Sequence, residues 1–150
     1  MTLETKMQIE ALKIMGKSDK LPSYAEDDGF IYLTTDGFSV IRIPDKSFFL
    51  DKSKLREFKP LLDKFTVYWE RLYELKVTNN LKQYAKGIAR CFDSEKGMVF
   101  ADDKLVKILL SKDTELTEMF TNDKANTIYF AIGGQIYAAL LPIYFTKEEN

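Results

Sequence analysis

The chain has 150 residues, of which 45% are hydrophobic and 13% aromatic, so it carries enough apolar material for the core of one domain spanning residues 1–150. Its 22 basic and 23 acidic side chains leave a net charge of −1, which excludes a uniformly basic nucleic-acid-binding protein and restricts any DNA contact to a local patch. A cysteine count of 1 excludes an internal disulfide framework.

The chain contains no histidine. This removes the Ser-His and Cys-His nucleophile pairs, imidazole metal ligands and the side chain that titrates nearest to neutral pH. No P-loop, dinucleotide-binding glycine pattern or zinc-ligand spacing occurs in the sequence. We therefore expect no catalytic residues, no metal site and no cofactor, and we interpret the protein as a non-enzyme.

Residues 2–15 are predicted to form an amphipathic helix, because apolar residues recur at spacings of three and four. Lys6, Lys13 and Lys17 share its polar side with one glutamate. Such a stripe is typical of a solvated helix face, and the alternative is a helix that faces a polyanion. Acidic residues stand where a secretory signal would be apolar, which favours a cytoplasmic location.

A β-hairpin is predicted at residues 30–43, after a polar connection at residues 17–28. Its turn contains Asp36-Gly37, a pair that accepts the positive φ angles of a short turn. Residues 48–50 are apolar and are predicted to add a short strand.

Residues 55–72 carry an apolar heptad stripe, which predicts helix packed on a sheet. Pro60 interrupts this pattern, since proline removes a backbone donor and clashes with the preceding turn. We therefore expect two helical pieces that divide near Pro60.

A further hairpin is predicted between residues 83–92 and residues 98–101, preceded by a strand at residues 73–78 and a turn at Asn79-Asn80. Asp102 and Asp103 are predicted to open a second helix, because carboxylates satisfy free backbone donors at a helix N-terminus. A polar connection, residues 111–126, follows this helix.

The most apolar stretch, residues 127–145, is interrupted by Gly133-Gly134-Gln135 and then by Pro142, so it is predicted to be a hairpin of residues 127–132 and 136–145 rather than a membrane helix. We interpret Gly133-Gly134-Gln135 as turn residues and not as the tripeptide of translation release factors. The expected fold class is α+β, with antiparallel sheets built from hairpins and two or three helices packed on them.

Two short segments carry a family resemblance. TTDGFSV at residues 34–40 and YAALLPIYF at residues 137–145 resemble the ATDGHRL segment and the C-terminal MPMRL strand of the bacterial DNA polymerase sliding clamp, the ring-shaped processivity factor. ADDKLVKIL at residues 101–109 resembles the helix that precedes the final strands of that clamp. The resemblance implies a single DNA-clamp-like domain, of the kind a phage or mobile element encodes.

The resemblance also implies a site, because these clamp segments help to form a groove for short linear peptides. The implied peptide-binding residues are Thr35, Gly37, Phe38, Val40, Leu141, Pro142, Ile143 and Phe145. In a ring that encircles duplex DNA, the DNA-facing residues would be Lys6, Lys13, Lys17, Lys104 and Lys107.

Two functions follow as hypotheses. The first is a non-catalytic clamp-like protein that acts through protein contacts in DNA replication or repair, with duplex DNA and other copies of the chain as further partners. The alternative is a stand-alone module that binds a protein or peptide without forming a ring or binding DNA. Neither involves a membrane.

Overall fold

The structure is a computed structural model that describes residues 22–34, 39–44, 52–65, 71–110 and 117–145. Within these ranges the chain is mostly β-sheet. The strands are β1 (Ser23–Asp27), β2 (Phe30–Thr34), β3 (Ser39–Pro44), β4 (Arg56–Glu57), β5 (Tyr73–Glu74), β6 (Lys76–Tyr84), β7 (Gly87–Ser94), β8 (Gly97–Asp102), β9 (Thr117–Thr121), β10 (Ile128–Ile132) and β11 (Gln135–Leu140). The helices are α1 (Asp103–Leu109) and two 3₁₀ helices, η1 (Lys52–Lys54) and η2 (Lys59–Phe65).

Eight strands form one sheet in the order β4-β1-β2-β3-β11-β10-β9-β5. Successive side chains of a strand point to opposite faces, and here the alternate residues fall into two separate apolar clusters. Ile31 and Leu33 lie in the first cluster with Phe92 of β7, whereas Tyr32 lies in the second cluster with Leu61 of η2. The central strands are therefore covered on both faces.

A bulge in β11 aims one side chain at α1. Phe130 pairs with Ala138 and Ala131 pairs with Ile136, which leaves Tyr137 as the extra residue. The bulge places Tyr137 and Ala138 in the same apolar cluster. The Tyr137 hydroxyl is fully buried and donates to the carbonyl oxygen of Leu109, 2.6 Å away. This hydrogen bond satisfies a carbonyl in the last turn of α1.

The remaining three strands form a second sheet in the order β6-β7-β8. Phe92, Val99 and Ala101 pack into the first cluster of the large sheet, so one end of the small sheet is anchored there. α1 follows β8 directly and adds Val106 and Leu109 to the same cluster. The two sheets and α1 thus share one core.

Strand β6 contains a register irregularity at the residues for which the sequence predicts a turn. Val77 pairs with Phe92 and Leu81 with Arg90, so β6 has more residues than β7 over this interval. The Thr78 hydroxyl donates to the carbonyl oxygen of Cys91 at 2.8 Å. The turn predicted at Asn79-Asn80 is therefore wrong, because side-chain hydrogen bonding lets β6 continue to Tyr84.

The expected α+β class is wrong. The described residues contain a single α-helix, α1, rather than two or three helices packed on sheets. Two segments expected to be polar connections are strands: β1 pairs along its full length with β2, and β9 pairs along its full length with β10. Both read as polar because they hold few apolar residues, so their strand structure depends on tertiary hydrogen bonds that local propensity does not reveal.

The heptad stripe also predicted the wrong buried face for residues 55–72. Phe58, a stripe member, is 42% exposed, whereas Leu61, which lies outside the stripe, is 1% exposed. Arg56 and Glu57 form strand β4, and residues 59–65 form the 3₁₀ helix η2 instead of an α-helix. A 3₁₀ helix has three residues per turn, so it presents a different face from the predicted α-helix. Pro60 lies in the first turn of η2, where its missing N–H costs little.

The second helix is confirmed, and the hairpins are confirmed in their strand pairing but not in all of their bounds. The predicted strand of residues 83–92 is divided by the turn between β6 and β7, and β11 ends at Leu140 instead of residue 145. β2 pairs with β3, β7 with β8, and β10 with β11, all antiparallel. Gly133 and Gly134 have φ angles of +58° and +77°, as a two-residue turn between twisted strands requires. Asp102 is the N-cap of α1. The predicted helix at residues 2–15 and the short strand at residues 48–50 lie outside the described residues.

Candidate protein-binding surface

Exposed apolar side chains concentrate on the small sheet. Among the described residues, four of the six large hydrophobic side chains that are exposed belong to β6, β7 or β8. These four are Val77, Leu81, Ile88 and Met98. Single exposed apolar residues are ordinary on a protein surface, whereas several of them on one small sheet make that sheet a candidate contact surface.

Three of these side chains share one face of the small sheet. Val77 lies opposite Phe92, and Leu81 lies opposite Arg90, so both point to the face of the even-numbered residues of β7. Ile88 belongs to the same set. We call Val77, Leu81 and Ile88 the β6–β7 patch. Phe92 is fully buried on this face while the patch is 48–64% exposed, so the small sheet extends beyond the cover of the large sheet.

The patch borders an edge strand. β6 pairs with β7 on one side and with no second strand among the described residues. At nine residues it is longer than β4 and β5, the two-residue edges of the large sheet. An edge strand presents backbone donors and acceptors to a partner strand. The irregularity between Val77 and Leu81 confines the regular part of this edge to two short stretches.

An ion-pair cluster fixes the small sheet to α1. The Arg90 Nε atom lies 2.7 Å from Oδ1 of Asp103, and the Lys107 Nζ atom lies 3.1 Å from its Oδ2. Burial would raise the pKa of Asp103, but the hydrogen bonds from Arg90 and Lys107 outweigh it, and the pKa is below its usual value. The Asp103 side chain is 11% exposed, so we assign the cluster a structural role.

A second polar contact ties the β6–β7 hairpin to the N-terminus of α1. The Tyr84 hydroxyl donates to Oδ2 of Asp102, whose Oδ1 accepts from the backbone N–H of Leu105 at 3.1 Å. Burial raises the pKa of Tyr84 to about 12, with further contributions from the hydrogen bond and the negative charge of Asp102. Asp102 thus serves as a helix cap and as a hydrogen-bond acceptor at once.

An open cleft of about 320 Å³ lies at the end of the small sheet that is away from the contact between Tyr84 and Asp102. It is lined by Glu74, Lys76, Asp93, Ser94 and Glu95. No group of three or more histidine, cysteine, aspartate or glutamate residues in the described part of the chain is arranged to hold a metal ion. The cleft is open and lined by polar and charged residues, so it is a solvated surface.

The predicted peptide-binding residues fall into two sets. Thr35, Gly37 and Phe38 lie outside the described residues. Val40 is 3% exposed and pairs with Ala139, while Ser39 pairs with Leu140. The two segments that resemble the clamp are therefore adjacent in the large sheet, although Val40 itself is a core residue.

The C-terminal members of that set are more accessible. Leu141, Pro142, Ile143 and Phe145 are all half-buried. The backbone N–H of Ile143 donates to the carbonyl oxygen of Phe100 at 2.7 Å. This part of the predicted site is therefore attached to the small sheet.

The predicted DNA-facing lysines also divide. Lys104 and Lys107 are exposed on α1, where Lys107 is paired with Asp103. Lys6, Lys13 and Lys17 lie outside the described residues.

Sequence reasoning missed the β6–β7 patch. Its apolar residues are separated by lysine, asparagine and glutamine, and Asn79-Asn80 indicated a turn instead of a strand. The nearest available signal was the apolar Val77, Leu81 and Ile88 scattered through a polar stretch, and only the strand register shows that they share a face.

Among the described residues, no helix has the length and apolar character needed to span a bilayer. Comparison with known proteins finds no matching family model, no matching curated protein and no matching solved structure. The function must therefore be argued from the surface itself.

Proposed function

We propose that the protein is a non-catalytic protein-binding module, with the small sheet as its contact surface and the large sheet as its scaffold. The observation that carries this proposal is the β6–β7 patch beside the nine-residue edge strand β6. A partner that covers the patch would bury apolar side chains, and a partner strand on β6 would pair its backbone groups.

The size of the patch sets the strength of binding. Fully burying one aliphatic side chain contributes about 1.5–3 kcal/mol, and the three patch residues are already about half-buried, so together they contribute on the order of 3 kcal/mol. Micromolar affinity requires about 8 kcal/mol. The remainder must come from backbone pairing on β6 and from polar contacts around the patch, which is the profile of a weak or transient complex.

Charge substitutions in the patch test the proposal. Leu81→Lys and Ile88→Lys place a cation where the partner must bury an apolar group, so each should lower retention of a captured partner by at least about ten-fold. Phe58→Lys is the matched control, because Phe58 is an exposed apolar residue outside the small sheet. Circular dichroism checks that all three variants fold. A partner that all three variants retain equally would contradict the proposal.

A clamp-like role in DNA replication or repair is a second proposal. It is supported by the pairing of Ser39 with Leu140, which makes the two clamp-resembling segments neighbours. A ring of six copies would have a mass of 6 × 17.4, or about 104 kDa. Light scattering on a sizing column, with and without duplex DNA, measures this mass. A mass near 17.4 kDa that DNA leaves unchanged would contradict a ring.

Lysine substitutions sharpen the DNA part of that second proposal. Lys104→Glu combined with Lys107→Glu should weaken DNA association and reduce its salt dependence, because each phosphate contact releases counterions. If the double variant associates with DNA as the unmodified chain does, α1 does not contact the DNA.

A further inference from the structure

Positive charge is concentrated on the hairpin that carries the β6–β7 patch. Residues 75–92, which span β6, its turn and most of β7, contain four basic side chains and no acidic one. The four are Lys76, Lys82, Lys86 and Arg90. Because the whole chain has 22 basic and 23 acidic side chains, the other 132 residues hold 18 basic and 23 acidic ones. The hairpin is therefore a basic segment of a slightly acidic chain.

Two lysines at the turn end of the hairpin supply the charge that a partner would meet. Arg90 is bound to Asp103, so its charge is already balanced. Lys86 is exposed in the turn between β6 and β7. The Lys82 ammonium lies 4.0 Å from the centroid of the Phe145 ring, and this cation–π contact positions the ammonium without neutralising its charge. We call Lys82 and Lys86 the turn lysines.

The cleft end of the hairpin has the opposite character. Lys76 lines the open cleft together with Glu74, Asp93 and Glu95, and it pairs directly with Asp93 of β7. Carboxylates outnumber the lysine three to one among these lining residues. A partner aligned along β6 would therefore meet positive charge at the turn lysines and negative charge at the cleft.

A strand added to the outer edge of β6 would meet the apolar and the basic side chains on different faces. Residues that lie opposite each other in neighbouring strands point to the same face. Leu81 points to the face of the β6–β7 patch, whereas Lys82 pairs with Ala89 on the other face. A partner strand would thus place one side chain beside Leu81 and the next side chain beside Lys82.

We propose that the occupant of the β6–β7 patch is an extended segment of an acidic protein, in which aliphatic residues alternate with glutamate or aspartate. Its aliphatic side chains cover the patch, and its carboxylates pair with the turn lysines. Opposite charges on neighbouring strands stabilise the pairing, and the charge complementarity selects the partner. This inference rests on the proposed function, because it names the chemistry of the partner that the same surface binds.

Nucleic acid is the other polyanion that lysines attract. A phosphate backbone has no aliphatic side chains to cover Val77, Leu81 and Ile88, and it has no peptide groups to pair with the edge of β6. The exposed apolar side chains beside an edge strand therefore favour a protein segment.

The test uses the full chain and fluorescein-labelled heptapeptides, with binding followed by fluorescence anisotropy at low salt. EVEVEVE carries the proposed pattern, and QVQVQVQ has nearly the same shape without the charge. EVEVEVE should bind at least about five-fold more tightly than QVQVQVQ, which is the effect of two cross-strand charge pairs. This advantage should shrink as the salt concentration rises, because salt screens exposed charges.

Three variants, each checked for folding by circular dichroism, locate the contacts. Lys82→Gln combined with Lys86→Gln should abolish the advantage of EVEVEVE and leave QVQVQVQ binding unchanged. Arg56→Gln combined with Lys59→Gln is the matched control, because it removes two exposed cations beside the edge of the large sheet, and it should bind both peptides like the unmodified chain. Leu81→Gln should weaken the binding of both peptides, since each must cover the patch.

The outcomes separate this inference from the proposed function. Equal binding of the two peptides, weakened in both by Leu81→Gln, would overturn the acidic partner and leave the patch as a contact surface. EVEVEVE binding that Leu81→Gln does not change would also overturn the inference, because the lysines alone would then hold the peptide.

Two further results would overturn the acidic partner. If neither peptide binds at millimolar concentration, the inference fails, while retention of a captured partner by Leu81→Lys and Ile88→Lys still decides the proposed function. If a labelled oligothymidylate binds more tightly than EVEVEVE and loses its binding in the double variant of the turn lysines, those lysines belong to a nucleic-acid site.

Discussion

The two sheets of this protein differ in how completely they bury their apolar side chains. In the large sheet, β2, β3, β10 and β11 bury their apolar residues on both faces, and the sheet ends in the two-residue strands β4 and β5. In the small sheet, Phe92 is buried on one face and Ala89 and Cys91 on the other, but β6 carries exposed apolar side chains and stands at the edge with nine residues. Leu33 is 0% exposed and Leu81 is 52% exposed, although both are strand leucines.

This difference predicts that stability depends mainly on the large sheet and the proposed binding mainly on the small sheet. The large sheet follows the pattern of a self-sufficient scaffold, with both faces covered and little edge for another chain to pair with. The small sheet leaves apolar side chains exposed that no other part of the described chain buries. We therefore expect substitutions in the large sheet to change stability, and substitutions in the β6–β7 patch to change binding.

The largest expected effect is that of Leu33→Ala. Leu33 is fully buried between β1 and β3, so truncation leaves a cavity and should lower the free energy of unfolding by about 2–5 kcal/mol. Urea denaturation measures this change. A loss below about 1 kcal/mol, the usual size of a mild substitution, would break the contrast between the two sheets.

Asp103→Asn tests how firmly the small sheet is attached to α1. The variant removes charge-assisted hydrogen bonds from Arg90 and Lys107 and should cost about 1.5–3 kcal/mol at neutral pH. Because the folded pKa of Asp103 lies below its unfolded value, its stabilisation is present above about pH 4 and is lost as pH falls through the folded pKa. Urea denaturation of the unmodified chain and of Asp103→Asn measures this effect. The difference between their free energies of unfolding should disappear as the pH is lowered.

Lys107→Met is the matched control for that cluster. The Lys107 side chain is 70% exposed, so its pairing with Asp103 should contribute only about 0.5 kcal/mol. An Asp103→Asn effect that does not change with pH would contradict the assignment of the cluster.

Tyr84→Phe tests the second link between the small sheet and α1. Losing the hydrogen bond to Asp102 should cost about 0.5–1.5 kcal/mol. The folded pKa of Tyr84, about 12, is above the unfolded value of 10.0, so this stabilisation is complete below pH 10 and is lost as pH rises towards 12. In thermal unfolding at alkaline pH, the stabilities of Tyr84→Phe and of the unmodified chain should therefore converge. A difference that grows with pH would contradict the raised pKa.

The smallest expected effect on stability is that of Leu81→Ala. The chemical change matches that of Leu33→Ala, but Leu81 is about half exposed, so the free energy of unfolding should change by no more than about 0.5 kcal/mol. The same urea titration measures it. Equal losses at Leu33 and Leu81 would mean that the small sheet is as much a part of the scaffold as the large one.

The elements that were predictable from sequence carry their own local signals. Asp36-Gly37 and Gly133-Gly134 are turn signals in the sequence between apolar runs, and Asp102 is the signal for the start of α1. These signals act within a few residues and do not require knowledge of the partner strand. The strand pairing of the three predicted hairpins and the start of α1 were accordingly right, although the bounds of two predicted strands were not.

The elements that were missed depend on distant partners. β1 contains only Tyr24 and Ala25 as apolar residues, and its strand structure follows from pairing with β2. The stripe through Phe58 satisfies a helical spacing, but tertiary contacts bury Leu61 instead. The β6–β7 patch could not be predicted from the sequence for the same reason, because the register of β6 on β7 decides which residues share a face.

Amide hydrogen exchange of the chain, alone and with a partner captured through the patch, tests the central claim most directly. The account predicts that the partner slows exchange in β6 and β7, while β2, β3, β10 and β11 are already slow and do not change. Exchange that slows instead along β4 and β1, with β6 and β7 unaffected, would contradict it and would move the contact surface to the edge of the large sheet.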